Sequence, residues 1–173
     1  MSPRLLCLVL TCASCSFALP TPSDPDAGAL PPETTDPSPR CAGYTAAGGS
    51  TYRLVTTPLA WLNSEQACEA DESGATHLAI VDSMTELDAI RPLLGPATWI
   101  GLADRRVEGT WRWVDGATQA PMGPPWKIGE PSHGGEDNCG LVDMAAHFDA
   151  INCNDAKAYL CECDGVAPVA TAY

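Results

Sequence analysis

Trp99-Ile100-Gly101-Leu102 and, after a short polar gap, Trp111-Arg112-Trp113 are the two runs from which the architecture of this chain is read. The first is an uninterrupted apolar stretch of the length that a buried strand needs. In the second, Arg112 separates two indoles, which places both on one face of an extended segment. The residues from Ala103 to Gly109 are polar enough to turn the chain between these runs, and Asp115-Gly116 marks the turn that follows.

Upstream, Tyr52 to Thr56 has strand character. Thr57-Pro58 then reads as a helix start with proline at the first helical position. Trp61, Ser64 and Cys68 recur at helical spacing, so the predicted helix buries Trp61 and Cys68, exposes Glu65, Glu69 and Glu72, and ends at Gly74. Ser83-Met84-Thr85-Glu86 is a capping box for a second helix, on which Leu87, Ile90 and Leu94 share a face. Pro92 weakens its last turn and Gly95 closes it. Two helices that precede the main run of strands, instead of alternating with it, predict an α+β fold and not a doubly wound parallel sheet.

Downstream, Ala117 to Asn138 contains Pro121, Pro124, Pro125, Pro131 and several glycines. It is predicted to be an irregular loop anchored by Trp126, and loops of this length are uncommon without a use.

Met1 to Ala18 reads as an export signal: Arg4, an apolar run from Leu5 to Leu10 too short for a membrane span, then small residues. Two readings of its end stand side by side. Ser16-Phe17-Ala18 is a small-x-small site before Leu19, whereas Ala13-Ser14-Cys15 reads as an imperfect lipoprotein signal, with Cys12 in place of the leucine usual before the small pair, in which Cys15 would be acylated and tether the chain to a membrane. Residues 19–40 are rich in Pro, Thr, Ser and Asp and poor in large apolar side chains, so they are expected to form a disordered linker. The folded domain is assigned to residues 41–163, with 164–173 as a flexible tail.

With the signal and Cys15 set aside, Cys41, Cys68, Cys139, Cys153, Cys161 and Cys163 remain. An even number in an exported chain argues for three disulfides, among about fifteen possible pairings. Cys161-x-Cys163 also permits a zinc reading, although no second close pair of cysteines or histidines accompanies it.

Charge narrows the partners. The chain carries 22 Asp and Glu against 9 Lys and Arg, a formal charge of -13, which repels nucleic acid and anionic membrane surfaces and attracts divalent cations wherever carboxylates converge. His77, His133 and His147 are dispersed, and no nucleophile elbow, zinc-helix motif or phosphate loop is present, so no enzyme is expected. Clustered loop acids could imitate the carboxylate pair of a glycosidase on paper.

Taken together, the four cysteines Cys68, Cys139, Cys153 and Cys161, the two tryptophan runs and Glu130-Pro131-Ser132 resemble the C-type lectin domain. The resemblance covers about residues 41–163. It implies a C-type lectin-like fold with two helices on small antiparallel sheets, a long irregular loop and disulfide staples. It implies the pairs Cys68 with Cys161 and Cys139 with Cys153. The family often has a further disulfide in an N-terminal hairpin, but a second cysteine near Thr51 or Tyr52 is absent; since the first and last strands of that fold run side by side, the resemblance implies Cys41 with Cys163. It also makes Trp111 and Trp113 core residues and not a sugar-stacking platform.

In many C-type lectins the long loop carries Glu-Pro-Asn or Gln-Pro-Asp around a cis proline and turns two side-chain oxygens toward calcium. The counterpart here is Glu130-Pro131-Ser132, whose Ser132 offers a neutral hydroxyl where the family has an amide or carboxylate oxygen. Asp137, with Glu136 as its alternate, occupies the next ligand position. Asp149 and Ala150 stand where the family has Asn-Asp, so Ala150 can contribute only its backbone carbonyl. Calcium takes about six to eight oxygens. The resemblance therefore implies a partly degenerate calcium site at Glu130, Ser132, Asp137, Asp149 and Ala150, with Glu130, Ser132, Asp137 and Asp149 also contacting the ligand. The leading expectation is an exported, non-enzymatic recognition module, secreted or held at a cell surface or in a periplasm as a lipoprotein, that binds carbohydrate through this loop. The alternative is a calcium-independent module on the same scaffold, either structural or binding a surface protein.

Overall fold

The computed structural model describes residues 41–120, 123–131 and 135–173. The export signal, Cys15, the linker, Ser132 and His133 lie outside the described residues.

Two helices, α1 (Trp61–Glu69) and α2 (Met84–Ile90), accompany eight strands, with a 3-10 turn at Arg91–Leu93 continuing α2. The strands are β1 (Thr45–Ala47), β2 (Ser50–Leu59), β3 (Thr76–Leu78), β4 (Thr98–Ala103), β5 (Arg112–Trp113), β6 (Cys139–Val142), β7 (Phe148–Ile151) and β8 (Lys157–Cys163). They link into one sheet of order β1-β2-β8-β4-β6-β7, with β3 added to β8 and β5 to β4. Six of the seven pairings are antiparallel, but β4 and β8 run parallel, with Trp99 opposite Tyr159. The small sheets expected from sequence are thereby joined through β8.

The two tryptophan runs behave as strand and core. Trp99, Ile100, Leu102, Trp111 and Trp113 are all buried. Gly101 is required between them, because a Cβ there would lie 2.5 Å from the Leu78 carbonyl oxygen and 2.9 Å from a Val114 methyl. Burial of side chains this large supplies the main favourable term, roughly 1.5–3 kcal/mol for each large apolar residue.

Three disulfides staple this core: Cys41–Cys163, Cys68–Cys161 and Cys139–Cys153, with Cα separations of 6.2, 5.4 and 5.1 Å. Thr51 of β2 faces Cys163 in register, which brings the start and end of the domain together. The sulfurs of Cys161 and Cys163 are thus both committed to disulfides, and the zinc reading of that pair falls.

Several local expectations are corrected. Thr57 and Pro58 belong to β2, and α1 begins at Trp61 after an extended Ala60. The β2–β8 register breaks between Val55 and Leu59, an irregularity that accommodates a proline without a ladder donor. The helix ends at Glu69; Gly74, at φ +76°, turns the chain beyond it. Glu65 is fully buried, not exposed, because its Oε2 accepts the Leu78 N–H at 2.7 Å where β3 packs against α1. Burial lifts its carboxyl to about 7.

At α2 the capping box is present in altered form. Ser83 Oγ accepts the Glu86 N–H, while Glu86 Oε2 accepts the N–H of Asp82. The segment 164–173, expected to be a flexible tail, packs back on the domain. Tyr173 stacks edge-on against Trp61 with ring centroids 5.3 Å apart, its hydroxyl donates to Glu69, and Arg106 donates to the Tyr173 and Ala170 carbonyls. An aromatic side chain that covers Trp61 gives this short segment the burial that composition alone did not reveal.

Candidate functional site

The long loop between β5 and β6 has its described part fixed from below by Trp126. That indole is buried against Trp111 and Phe148, at centroid distances of 4.8 and 5.7 Å, and its N–H donates to the Ala120 carbonyl. Backbone bonds complete the attachment: Phe148 N–H donates to the Pro125 carbonyl and Lys127 N–H to the Phe148 carbonyl. The loop is therefore laid alongside β7, and whatever follows Trp126 must lie beside Asp149.

Two of the expected ligand positions meet there. Glu130, which precedes Pro131 through a cis peptide bond, places Oε2 3.3 Å from the Ala150 N–H and accepts from it. Asp149, the neighbour of Ala150 on β7, is half-buried with its carboxylate directed elsewhere. Its Oδ2 lies 2.5 Å from the Lys127 ammonium. Asp137 is half-buried and Glu136 exposed. Among the described residues, no three-ligand group of His, Cys, Asp or Glu forms at this loop with its donor atoms within 4.8 Å of one another.

Lys127 and Asp143 are the two participants that sequence reasoning missed. The Lys127 ammonium is also 3.4 Å from Asp143 Oδ2. Asp143 in turn accepts the N–H groups of Ala145 and His147 through Oδ1, at 2.8 and 3.0 Å. The Asp149 hydrogen bond raises the Lys127 ammonium above its ordinary range, outweighing partial desolvation. Burial alone would raise the Asp143 carboxyl, but the His147 and Ala145 N–H groups and Lys127 together hold it low. A lysine directly after Trp126 was the available signal, since a tethered indole fixes the position of its neighbour.

Beside this constellation opens a cavity of about 670 Å³, lined by Met84, Trp126, Ile128, Glu130, Ala146 and His147 among others. Ile128 is fully exposed on its rim. The combination of carboxylates, one ammonium and an open apolar wall suits reversible binding of a polar ligand with an apolar face.

The donor set tests the calcium expectation. Glu130 and Asp149 offer carboxylates and Ala150 a backbone oxygen, which is hard oxygen chemistry of the right kind. Asp149 is, however, already neutralised by Lys127. The donors are hard oxygens, but among the described residues Glu130, Asp137 and Asp149 do not bring three carboxylate oxygens within 4.8 Å of one another.

This fold and this loop define a recognition domain of the C-type lectin class. Residues 57–163 match the family model described as Lectin C-type domain, and the chain belongs to that family, whose members are recognition proteins and not enzymes. Among curated proteins, similarity extends to a hepatic lectin of Gallus gallus, 30% identical over 116 residues, covering 66% of this chain and 55% of that protein. It extends also to a CD209 antigen of Papio hamadryas, 34% identical over 118 residues, covering 66% of this chain and 32% of that protein. The chain thus spans about half or less of the length of these relatives. Among solved structures, the mouse scavenger receptor C-type lectin carbohydrate-recognition domain superposes with a TM-score of 0.64 at 23% identity, over 75% of this chain and 99% of that one, a likeness of fold. A calcium-independent type II antifreeze protein superposes with a TM-score of 0.62 at 25% identity, over 75% of this chain and 95% of that one.

Proposed function

We propose that this chain is an exported carbohydrate-recognition module whose long-loop face binds a glycan, with calcium held weakly by Glu130, Asp137 and Asp149. The observation that carries the reading is the meeting of Glu130 with Ala150, the residue after Asp149 on β7, 3.3 Å from carboxylate to backbone N–H. The relatives named as lectins and the carbohydrate-recognition fold support the ligand class. A calcium ion bound there would offer open coordination positions to sugar hydroxyls. Residues 1–18 would direct export and 19–40 would act as the linker, with Cys15 as the lipidated residue if the chain is anchored.

Glu130 would orient a hydroxyl of the ligand, and the apolar cavity wall formed by Trp126 and Ile128 would exclude water from one side of the bound ring. The Lys127–Asp149 pair supports a second reading, in which recognition proceeds without calcium because the ammonium supplies the loop's positive charge.

The test is a melting-temperature series in calcium, joined to glycan-array binding with and without chelator. Saturable stabilisation by millimolar calcium and chelator-sensitive glycan binding are expected, since a ligand bound only by the folded state stabilises it. Acid should abolish the gain as protons compete for the carboxylates. Chelator-insensitive binding would leave the calcium-independent reading standing.

A further inference from the structure

His77 on β3, Glu162 on β8 and Asp164 just after it place a ring nitrogen and two carboxylate oxygens within 4.8 Å of one another. The His77 ring is fully buried, Glu162 is 4% exposed and Asp164 lies at the surface. His77 Nδ1 is 2.9 Å from the Leu78 carbonyl oxygen, which can only accept, so Nδ1 must carry a proton and donate. The other nitrogen, Nε2, points at Asp164 Oδ1 from 3.1 Å. In the neutral ring that nitrogen presents a lone pair to a carboxylate oxygen. Two acceptors at this distance need a cation between them, and the slot takes either a second proton or a metal ion.

We propose that this slot is a binding site for a divalent transition-metal ion of the zinc type, with His77 Nε2, Asp164 and Glu162 as protein ligands and water completing the shell. One imidazole with carboxylate oxygens is the borderline donor set that such ions prefer over calcium. The Nδ1–H bond to the Leu78 carbonyl is the arrangement that fixes the tautomer and orientation of a metal-binding histidine. Zinc–ligand bonds of about 2.0–2.1 Å in tetrahedral geometry separate neighbouring donors by roughly 3.3 Å, close to the 3.1 Å observed between His77 and Asp164.

The remaining contacts hold the site without closing it. Glu162 accepts the Ile80 N–H at 2.9 Å through Oε2, and its Oε1 lies 3.1 Å from the Tyr52 hydroxyl, which makes its shorter hydrogen bond to Glu86, so the carboxylate is oriented and keeps lone pairs. Asp164 Oδ1 also accepts the Val166 N–H at 2.7 Å, so its turn is braced. A surface cavity of about 420 Å³ that includes Glu162 and Asp164 in its wall gives an ion a route in from solvent. The site is built from β3 and β8 and shares no residue with the long loop, so it stands whether or not the loop binds calcium.

The experiment is a zinc chloride titration of the oxidised full chain by calorimetry, with the thiols of its N-terminal cysteines alkylated, in parallel with Asp164→Asn and Glu130→Gln. Asp164→Asn keeps an oxygen for the Val166 N–H, and Glu130→Gln alters only the loop. Saturable one-to-one binding, weakened at least tenfold by Asp164→Asn and unchanged by Glu130→Gln, is the expected result. Nitrogen-15 spectra of the histidines should show His77 Nε2 shifting on zinc addition with Nδ1 still protonated. Absence of saturable binding, equal binding by Asp164→Asn, loss in Glu130→Gln, or a His77 ring that keeps both protons in excess zinc would each overturn the assignment.

Discussion

The Lys127 ammonium lies 2.5 Å from Asp149 Oδ2, so a side chain of this protein occupies the carboxylate that a loop cation would need. Asp149 sits there because β7 pairs with β6, and Lys127 because the Trp126 indole is pinned against Phe148. The pair couples two elements distant in sequence, and cation binding at the loop becomes a competition between an internal ammonium and an external ion.

Lys127→Met removes the competitor. Both partners are partly solvated, and pairs of this kind are worth about 0.2–1 kcal/mol. Calcium affinity is expected to rise by about two- to fivefold, read from the calcium dependence of the melting temperature, while the metal-free protein loses no more than about 1 kcal/mol.

Glu130→Gln keeps an acceptor for the Ala150 N–H and removes the charge. The metal-free melting temperature should stay within about 2 °C of wild type, because the fold needs only the acceptor. The calcium-induced shift should vanish, and an undiminished shift would remove Glu130 from the ligand set.

Glu65 gives the domain a pH-dependent stability. Its folded pKa, raised by burial to about 7, exceeds that of the unfolded chain near 4.5, so the protonated form is favoured by folding. The sign follows: this contribution is fully present below pH 4.5, declines as pH rises toward 7, and is flat above. A raise of this size corresponds to roughly 3 kcal/mol. Urea denaturation should therefore show Glu65 favouring the fold at pH 5 relative to pH 8, and Glu65→Gln should flatten that part of the profile. An unchanged slope in the variant would rule Glu65 out as the source.

Cys41 and Cys163 close a sequence separation of 122 residues. Because Cys68–Cys161 already closes most of that span, the loop that this cross-link adds is only about 30 residues, which restricts the unfolded chain by roughly 3–4 kcal/mol. The Cys41→Ala/Cys163→Ala double variant should fold with a lower urea midpoint and retain the Cys68–Cys161 peptide in non-reducing digests. Equal stability of the two proteins would mean that this staple does not constrain the unfolded chain.

Trp126→Ala should separate the loop from the core. Deleting a buried aromatic costs about 3–5 kcal/mol, and here the lost contacts are with Trp111 and Phe148. Ligand binding at the loop should fail at temperatures where circular dichroism still reports the folded sheet.

The sequence by itself was enough for the α+β class, the buried tryptophan strands, the Ser83 cap and the irregular loop, because each rests on local periodicity or on backbone chemistry within a few residues. The resemblance carried by the cysteines and the Glu130-Pro131 step located the family and the loop. Tertiary structure alone decided that Glu65 is buried, that Tyr173 covers Trp61, that Lys127 holds Asp149, and that His77 meets Asp164. Each of these joins residues far apart in the chain, and one side chain's periodicity carries no record of the charge or ring that folding brings against it. Burial of a carboxylate in particular depends on a distant donor, here the Leu78 N–H, which no pattern around residue 65 could announce.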